Sequence, residues 1–253
     1  MKLLKNTTDF AGLDCHTHSI FSPDSEQTPE ALVKSARARG LRGFIITDHI
    51  DVDRWGEQID LAEYFKTWER VRKANPDLTI YIGIEAGFEL DTYKRTYKLI
   101  KDLPFEYVIT SVHYVPGPWY AQYDGGRIKT YERYINAVID SLDAPWEFNT
   151  VGHFGFFERY APYPQSDWIM DYESFAPLMD KVIEKAVSRG VLFEENTKGG
   201  EIFRLPRADF LQAYKAAGGV RPVLGSDAHS PDAVAHRFDE AAAFLDGIFE
   251  KND

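Results

Sequence analysis

The sequence is poor in cysteine: Cys15 is the only one among its 253 residues. A lone cysteine excludes an intrachain disulfide and any metal site made of thiolates alone. Metal ligands must then be imidazole and carboxylate groups, which suit hard or borderline divalent ions such as Mn, Fe, Zn or Mg. We interpret Cys15 itself as a small buried residue on the outward face of the first strand.

Long apolar segments are also missing. No stretch approaches the roughly 18 consecutive apolar residues that a membrane span needs, and the N-terminus lacks the apolar core of a signal peptide. The sequence therefore predicts a cytoplasmic protein that does not bind membranes. Basic residues are outnumbered, with 29 Lys and Arg against 40 Asp and Glu, which gives a formal net charge of −11. An acidic surface disfavours nucleic acid, whose binding needs basic patches, and favours a small substrate.

Short apolar, β-branched runs alternate with amphipathic segments along the chain. The seven runs that we assign to strands are 12–15, 43–47, 79–84, 107–111, 149–152, 191–195 and 222–226. The seven predicted helices are 29–39, 61–74, 93–101, 129–142, 172–189, 207–217 and 232–249. Alternation of this kind indicates a parallel sheet. A sheet of seven strand–helix units is better closed into a barrel than left open. We predict the α/β class, with a distorted seven-stranded (β/α)7 TIM-like barrel as a single domain over residues 1–253.

Histidines and carboxylates gather at the ends of the predicted strands. Only His236, of the seven histidines, lies inside a predicted helix. The others are His16, His18, His49, His113, His153 and His229, and the carboxylates in similar positions are Asp24, Glu85 and Asp227. Because the carboxyl ends of parallel strands open on one rim of a barrel, we expect these nine residues to converge. So many buried imidazoles and carboxylates would be unfavourable without cations, so the pattern predicts a metal site.

The spacing of these residues supports the same interpretation. His16 and His18 are two residues apart, as are Asp227 and His229. Alternate residues of a strand point to one face, so each pair can bind a single ion. A lone histidine at a strand end is more often a hydrogen-bonding residue than a ligand, and the prediction therefore depends on the whole set.

Six sequence motifs occur in order between Asp14 and His229. They are DCHTHSIFSPDSE, ITDH, GIEAGFE, TSVHY, VGHF and GSDAH. Together they resemble the polymerase and histidinol phosphatase (PHP) family of metal-dependent phosphoesterases, and the length of the chain resembles its histidinol-phosphate phosphatase branch. The resemblance implies two or three divalent metal ions, with Zn, Mn and Fe as the candidates.

The resemblance also assigns the ligands. It gives His16, His18, Glu85 and Asp227 to a first metal, Glu85, His113 and His153 to a second, and Asp24, His49 and His229 to a third. Asp24 stands where some members of the family carry histidine. An oxygen ligand in place of nitrogen weakens the preference for zinc at the third site and favours manganese or iron.

The activity that the resemblance implies is hydrolysis of L-histidinol phosphate to L-histidinol and inorganic phosphate, a step of histidine biosynthesis. A hydroxide that bridges the first two metals is the expected nucleophile. For protonation of the departing alcohol we favour Asp227, with His229 as the alternative. A phosphodiesterase or nucleotide phosphatase is the alternative enzyme. A non-catalytic barrel that binds a partner is a third hypothesis, although such domains usually lose ligands.

Few basic residues lie on the predicted rim loops. Arg159, Arg204 and Lys198 are the candidates for phosphate contact, and Lys198 competes with Arg204. Aromatic residues on the same loops form either a wall for an imidazole-bearing substrate or ordinary packing: Trp119, Tyr120, Phe154, Phe156, Phe157 and Tyr160. The sequence leaves the oligomeric state open.

Overall fold

A computed structural model of the protein describes residues 1–5, 8–52, 54, 59–115, 126–161, 163–164, 167–199 and 204–250. The strands among these residues are β1 (Leu13–Thr17), β2 (Gly43–Ile46), β3 (His49–Ile50), β4 (Thr79–Gly87), β5 (Tyr107–Ser111), β6 (Thr150–Val151), β7 (Leu192–Asn196) and β8 (Val223–Gly225). The α-helices are α1 (Pro29–Ala38), α2 (Leu61–Ala74), α3 (Tyr93–Ile100), α4 (Gly126–Ser141), α5 (Tyr172–Arg189), α6 (Ala208–Ala216) and α7 (Phe238–Phe249). Short 3₁₀ helices cover Phe156–Tyr160 and Pro231–Ala233.

The strands form a parallel sheet in the order β1-β2-β4-β5-β6-β7-β8, and the short β3 pairs with β4. The sheet nearly closes on itself between β1 and β8. There Thr17 and Ala228 form a parallel bridge. The amide of Asp227 donates to the carbonyl of His16 at 2.8 Å, and the amide of His18 donates to the carbonyl of Ala228 at 2.9 Å. The predicted seven-stranded α/β barrel is confirmed. The seam between β1 and β8 joins the first sequence motif, DCHTHSIFSPDSE, to the last, GSDAH.

The first helix illustrates how local sequence sets these elements. Thr28 caps α1, because its hydroxyl accepts a hydrogen bond from the amide of Ala31 at 3.2 Å. Pro29 occupies the first helical position, where its missing amide proton is not needed. Gly40, with a φ of 69°, follows the end of the helix in the left-handed conformation that glycine adopts easily.

Cys15 is buried, but it does not face outward as predicted. Its side chain packs against residues of four other strands and therefore lies inside the barrel. These residues include Ile45, Tyr107, Leu192 and Val223. The register of β1 against β2 shifts within the segment from Asp14 to Thr17. Such an irregularity breaks the simple alternation of side chains, which is why a prediction based on alternation alone is wrong here.

The last helix begins later than the sequence predicts. It starts at Phe238, and His236 lies in the turn before it instead of inside a helix. Ala235 and Arg237 have positive φ angles of 51° and 56°, which no α-helix accommodates. None of the described helices combines the length and the apolar character that crossing a membrane requires.

Candidate metal centre

The barrel brings the nine predicted ligands together at one rim. His16 lies in β1, His49 in β3 and Glu85 in β4. The remaining residues follow strand ends or, in the case of Asp24, lie in the loop between β1 and α1: His18, Asp24, His113, His153, Asp227 and His229. We call these nine residues the rim cluster. They come from six segments of the chain that only the closed parallel sheet makes neighbours.

Glu85 lies at the middle of the rim cluster and is fully buried. Its Oε2 atom is 3.2 Å from Nε2 of His16, 3.5 Å from Nε2 of His18 and 3.0 Å from Nδ1 of His49. A single carboxylate oxygen is thus shared by imidazoles from the first and third strands. This arrangement fits a carboxylate that binds more than one cation.

The second oxygen of Glu85 faces another pair of imidazoles. Its Oε1 atom lies 3.2 Å from Nε2 of His113 and 3.0 Å from Nε2 of His153, and these two nitrogen atoms are 3.2 Å apart. The hydroxyl of Ser111 donates to the same oxygen at 2.6 Å. Glu85 therefore lies between two groups of histidines, as a bridging ligand would.

Asp227 completes the group that surrounds His16 and His18. Its Oδ1 atom is 3.9 Å from Nε2 of His16 and 3.4 Å from Nε2 of His18. The same oxygen lies 3.4 Å from Nδ1 of His229. Asp227 has a φ of 53°, an unfavourable conformation for a residue with a side chain, and its strain is typical of functional sites.

Asp24 lies on the outer side of the rim cluster. Its Oδ2 atom is 3.2 Å from Nε2 of His229 and 3.8 Å from Nε2 of His49. Burial alone would raise the pKa of Asp24, yet the imidazoles of His229 and His49 lower it. The three side chains are within reach of one common ion.

The donor atoms are close enough for shared cations. Three groups have ligand atoms within 4.8 Å of one another: His16, His18 and Glu85; His49, Glu85 and His113; and His18, His49 and His229. Nε2 of His18 is buried and makes no hydrogen bond, although carboxylate oxygens of Glu85 and Asp227 surround it. A buried polar nitrogen without a hydrogen-bond partner is unfavourable, so the site fits a cation that this nitrogen would bind.

The carboxylates of the rim cluster are held in their ionised form. Burial alone would raise the pKa of Glu85, yet the imidazoles of His16, His49 and His113 hold it well below its usual range. Burial alone would likewise raise the pKa of Asp227. The ammonium group of Lys198 is the main cause that instead holds this pKa well below its usual range. Both residues therefore offer charged oxygen atoms at neutral pH, as divalent metals require.

Two further carboxylates contact imidazole rings of the rim cluster and were missed by the sequence analysis. Nδ1 of His16 lies 2.8 Å from Glu194 Oε2, and Nδ1 of His113 lies 2.9 Å from Asp51 Oδ1. We call Glu194 and Asp51 the outer carboxylates. The sequence does hold a signal for each: Glu194 interrupts an apolar strand, and Asp51 follows His49 at the same two-residue spacing that links His16 and His18.

A cavity of about 170 Å³ opens on the rim cluster, and we call it the rim pocket. Its lining is formed by Asp24, His49, His113, Tyr114, His153, Phe156, Tyr160, Lys198, Asp227 and His229. A larger groove of about 830 Å³ lies at the opposite rim, where Leu13 and Val223 begin β1 and β8. None of its described lining residues is a histidine, so the smaller cavity is the candidate active site.

The three predicted phosphate contacts have different locations. Lys198 lines the rim pocket, with Nζ 3.0 Å from Asp227 Oδ1. Arg159 is not part of the lining, but its Nη1 atom lies 3.5 Å from Asp227 Oδ2. Arg204 does not line the rim pocket. It pairs instead with Glu195 at 3.0 Å and stacks on the ring of Phe244.

The aromatic residues also separate into groups. Phe156 and Tyr160 line the rim pocket together with Tyr114, which the sequence analysis did not single out. Phe154 and Phe157 are buried in the main hydrophobic core and are packing residues. Trp119 and Tyr120 lie outside the described residues.

A parallel barrel whose rim carries this set of imidazole and carboxylate groups defines a class of metal-dependent hydrolases. The PHP domain family model matches residues 14–198, and the chain belongs to that family. The resemblance deduced from the motifs is therefore confirmed.

Individual relatives agree with this assignment. The histidinol-phosphatase of Lactococcus lactis is 30% identical over 232 residues, which cover 86% of this chain and 84% of the relative. A probable histidinol-phosphatase of Clostridium acetobutylicum is 25% identical over 242 residues, with 90% of each chain covered. The crystal structure of the histidinol phosphate phosphatase of L. lactis, in complex with zinc, L-histidinol and phosphate, matches with a TM-score of 0.83. It is 26% identical in sequence, and 94% of both chains is covered.

Proposed function

We propose that this protein is a metal-dependent phosphomonoesterase that hydrolyses L-histidinol phosphate to L-histidinol and inorganic phosphate. The observation that carries the proposal is the convergence of six imidazoles and two further carboxylates, those of Asp24 and Asp227, around Glu85. The substrate is supported by the L. lactis relative, whose structure holds L-histidinol and phosphate. In this function the enzyme would serve histidine biosynthesis.

The rim cluster would hold two or three divalent ions. His16, His18, Glu85 and Asp227 are the proposed ligands of a first, Glu85, His113 and His153 of a second, and Asp24, His49 and His229 of a third. Bound metals of this kind neutralise phosphate charge and lower the pKa of water far enough to make it a nucleophile at neutral pH. Zinc is supported by the L. lactis relative, while manganese and iron stay candidates because Asp24 supplies oxygen.

Lys198 is the proposed protein contact of the phosphate. Its ammonium group lines the rim pocket and lies within 3.1 Å of Nδ1 of His229. A phosphate dianion in the pocket would meet this positive charge directly, and a charged hydrogen bond of this kind is stronger than a neutral one. Arg159, whose guanidinium is 3.5 Å from Asp227, adds positive charge near the pocket.

Asp227 is the proposed group that moves the proton. Asp227 lines the rim pocket, so its carboxylate is placed to accept a proton from the attacking water. Returning that proton to the departing alcohol prevents the release of an alkoxide. His229, 3.4 Å from the same carboxylate oxygen, is the alternative donor.

The aromatic side of the rim pocket suits the leaving group. Phe156 packs on the imidazoles of His113 and His153, with ring centroids 5.3 and 4.7 Å apart. Tyr160 continues this surface at 5.1 Å from Phe156, and its side chain is about half exposed. An imidazole ring such as that of histidinol can stack on such a surface.

A substrate panel tests the proposal. Metal-loaded protein is assayed for phosphate release from L-histidinol phosphate, p-nitrophenyl phosphate, nucleoside 3′- and 5′-monophosphates and a phosphodiester. We expect kcat/KM for L-histidinol phosphate to exceed that for the other esters by on the order of 100-fold, because only this substrate uses both phosphate and imidazole contacts. Hydrolysis of the nitrophenyl ester with no action on L-histidinol phosphate would overturn the substrate assignment. The cytoplasmic location and the single-domain organisation over residues 1–253 stay predictions from the sequence.

A further inference from the structure

The outer carboxylates, Glu194 and Asp51, are almost completely buried, with 1% and 3% of their surfaces exposed. Neither belongs to the predicted ligand set, yet each contacts imidazoles of that set. Burial of an ionised carboxylate is unfavourable in free energy unless hydrogen-bonding or charged partners compensate for its lost hydration. Their contacts show what the partners are.

Glu194 connects two parts of the rim cluster. Its Oε2 atom accepts a hydrogen bond from Nδ1 of His16 at 2.8 Å. Its Oε1 atom accepts one from the backbone amide of His153 at 2.8 Å and another from the side-chain amide of Asn196 at 2.7 Å. One carboxylate therefore fixes the ring of His16 and the backbone that carries His153.

Asp51 connects a different pair. Its Oδ1 atom lies 2.9 Å from Nδ1 of His113, and its Oδ2 atom lies 3.4 Å from Nδ1 of His49. Asp51 follows β3 directly, whereas His113 follows β5, so the contact joins two rim segments. Glu194 and Asp51 thus act on separate imidazoles.

These contacts determine which ring nitrogen faces the centre. A carboxylate is only an acceptor, so Nδ1 of His16 and Nδ1 of His113 must carry the proton. The other nitrogen, Nε2, faces an oxygen of Glu85 at 3.2 Å in both cases, so it is the nitrogen that would give up its proton in favour of a divalent ion bound there. A lone pair aimed inward is the state in which an imidazole binds a metal.

The backbone leaves room for both outer carboxylates. A Cβ atom at Gly225 would lie 2.7 Å from Oε2 of Glu194, and one at Gly87 would lie 2.0 Å from Oδ1 of Asp51. These approaches are too close for any residue with a side chain. Glycine is required at both positions if the carboxylates are to reach the imidazoles.

We propose that Glu194 and Asp51 are positioning residues of the metal centre, which orient His16 and His113 and thereby set the affinity for divalent metal. The inference deepens the proposed function, because it concerns the same rim cluster. Neither carboxylate lines the rim pocket, where the substrate would bind. Glu194 acts on the first metal and, through the backbone of His153, on the second. Asp51 acts on the second and third metals through His113 and His49.

The test uses Glu194→Gln and Asp51→Asn, which keep the shape of the side chain and remove its charge. Glu195→Gln is the matched control, since Glu195 is the next residue of β7 and equally buried but pairs with Arg204. Zn²⁺ affinity is measured by competition with a chromophoric chelator, and bound metal is counted by elemental analysis. We expect each outer-carboxylate variant to bind Zn²⁺ about 10- to 100-fold more weakly than wild type, the usual effect of losing such a partner. Glu195→Gln should stay within about twofold of wild type.

The melting temperature of each metal-free variant separates weakened metal binding from weakened folding. The proposal is supported if both metal-free variants melt near wild type and bind Zn²⁺ more weakly. It is overturned if both bind Zn²⁺ as tightly as wild type, or if neither folds, because the role would then be structural. If only one folds, its Zn²⁺ affinity decides.

Failure of the proposed function gives a different result. Wild-type protein that binds Zn²⁺ but leaves L-histidinol phosphate intact would refute the substrate, while a loss of Zn²⁺ affinity in the variants would still support the positioning role. Wild-type protein that binds neither Zn²⁺ nor Mn²⁺ would refute both.

Discussion

The ammonium group of Lys198 lies 3.0 Å from Oδ1 of Asp227, at the point where the rim pocket meets the rim cluster. This ion pair links a partly exposed positive charge on a loop to a proposed metal ligand. Because the lysine side chain is 42% exposed while that of Asp227 is 5% exposed, Lys198 can turn toward a substrate without leaving the pocket.

Lys198→Met should therefore weaken the enzyme in its handling of phosphate. A charged hydrogen bond contributes about 1.5–3 kcal/mol, which corresponds to a fall in kcat/KM of roughly 10- to 100-fold. Steady-state kinetics with L-histidinol phosphate measure the change. Arg204→Met is the comparison, since Arg204 pairs with Glu195 away from the pocket and should change kcat/KM less than about threefold. A larger loss in Arg204→Met than in Lys198→Met would contradict this interpretation.

Removing a central ligand should abolish turnover and leave the fold intact. His113→Ala and Asp227→Ala each take away one donor from a polynuclear site, and we expect kcat to fall by about a thousandfold or more. Circular dichroism should stay close to wild type, because the barrel core does not include these side chains. Near-normal rates in both variants would show that the site assignment is wrong.

Chelation should lower the thermal stability of the protein. The rim cluster concentrates carboxylates and imidazoles that a cation would hold together, and metal that binds only the native state stabilises it. At a metal concentration of 100 times Kd the effect is about 2.7 kcal/mol, or roughly 5–10 °C in melting temperature for a chain of this size. Scanning fluorimetry before and after treatment with EDTA, and after Zn²⁺ or Mn²⁺ is restored, provides the measurement. An unchanged melting temperature with turnover lost would count against a stabilising role of the metal.

Gly225→Ala tests whether Glu194 needs the space that the glycine leaves beside its carboxylate. The added methyl group would lie 2.7 Å from Oε2 of Glu194 and 2.8 Å from Cβ of His16, so one of them must move. We expect Zn²⁺ affinity to fall by on the order of tenfold. Gly247→Ala in α7 is the control, because nothing lies within 4 Å of the new methyl group. That exchange should leave metal affinity unchanged and raise stability by about 0.5–1 kcal/mol. Equal metal affinities in the two variants would argue against the tight fit.

The sequence predicts much of this molecule because its signals are local. Alternating apolar runs and caps such as Thr28 define the elements, and α2 and α5 have the predicted bounds. The nine residues of the rim cluster could be selected because their types and their position after strands are visible in the chain. Parallel closure then brings them together without any detailed knowledge of packing.

What the sequence could not predict depends on contacts between distant residues. His16 and Glu194 are 178 positions apart, so their hydrogen bond has no local signature. Arg204 and Lys198 follow the same strand and carry the same charge, and only the fold shows that one turns to Glu195 and the other to Asp227. Cys15 was misplaced for a related reason, since the register shift in β1 arises from pairing with β2.

The closure of the barrel has a consequence for biosynthesis. Asp227 and His229 follow β8, the strand that completes the ring against β1, whereas His16 and His18 lie at the first strand of the ring and are synthesised before them. Domains fold as units when their last contributing segment has been made. The complete set of nine side chains therefore cannot assemble before residue 229 has been synthesised, and the full metal site can form only after β8 has been made.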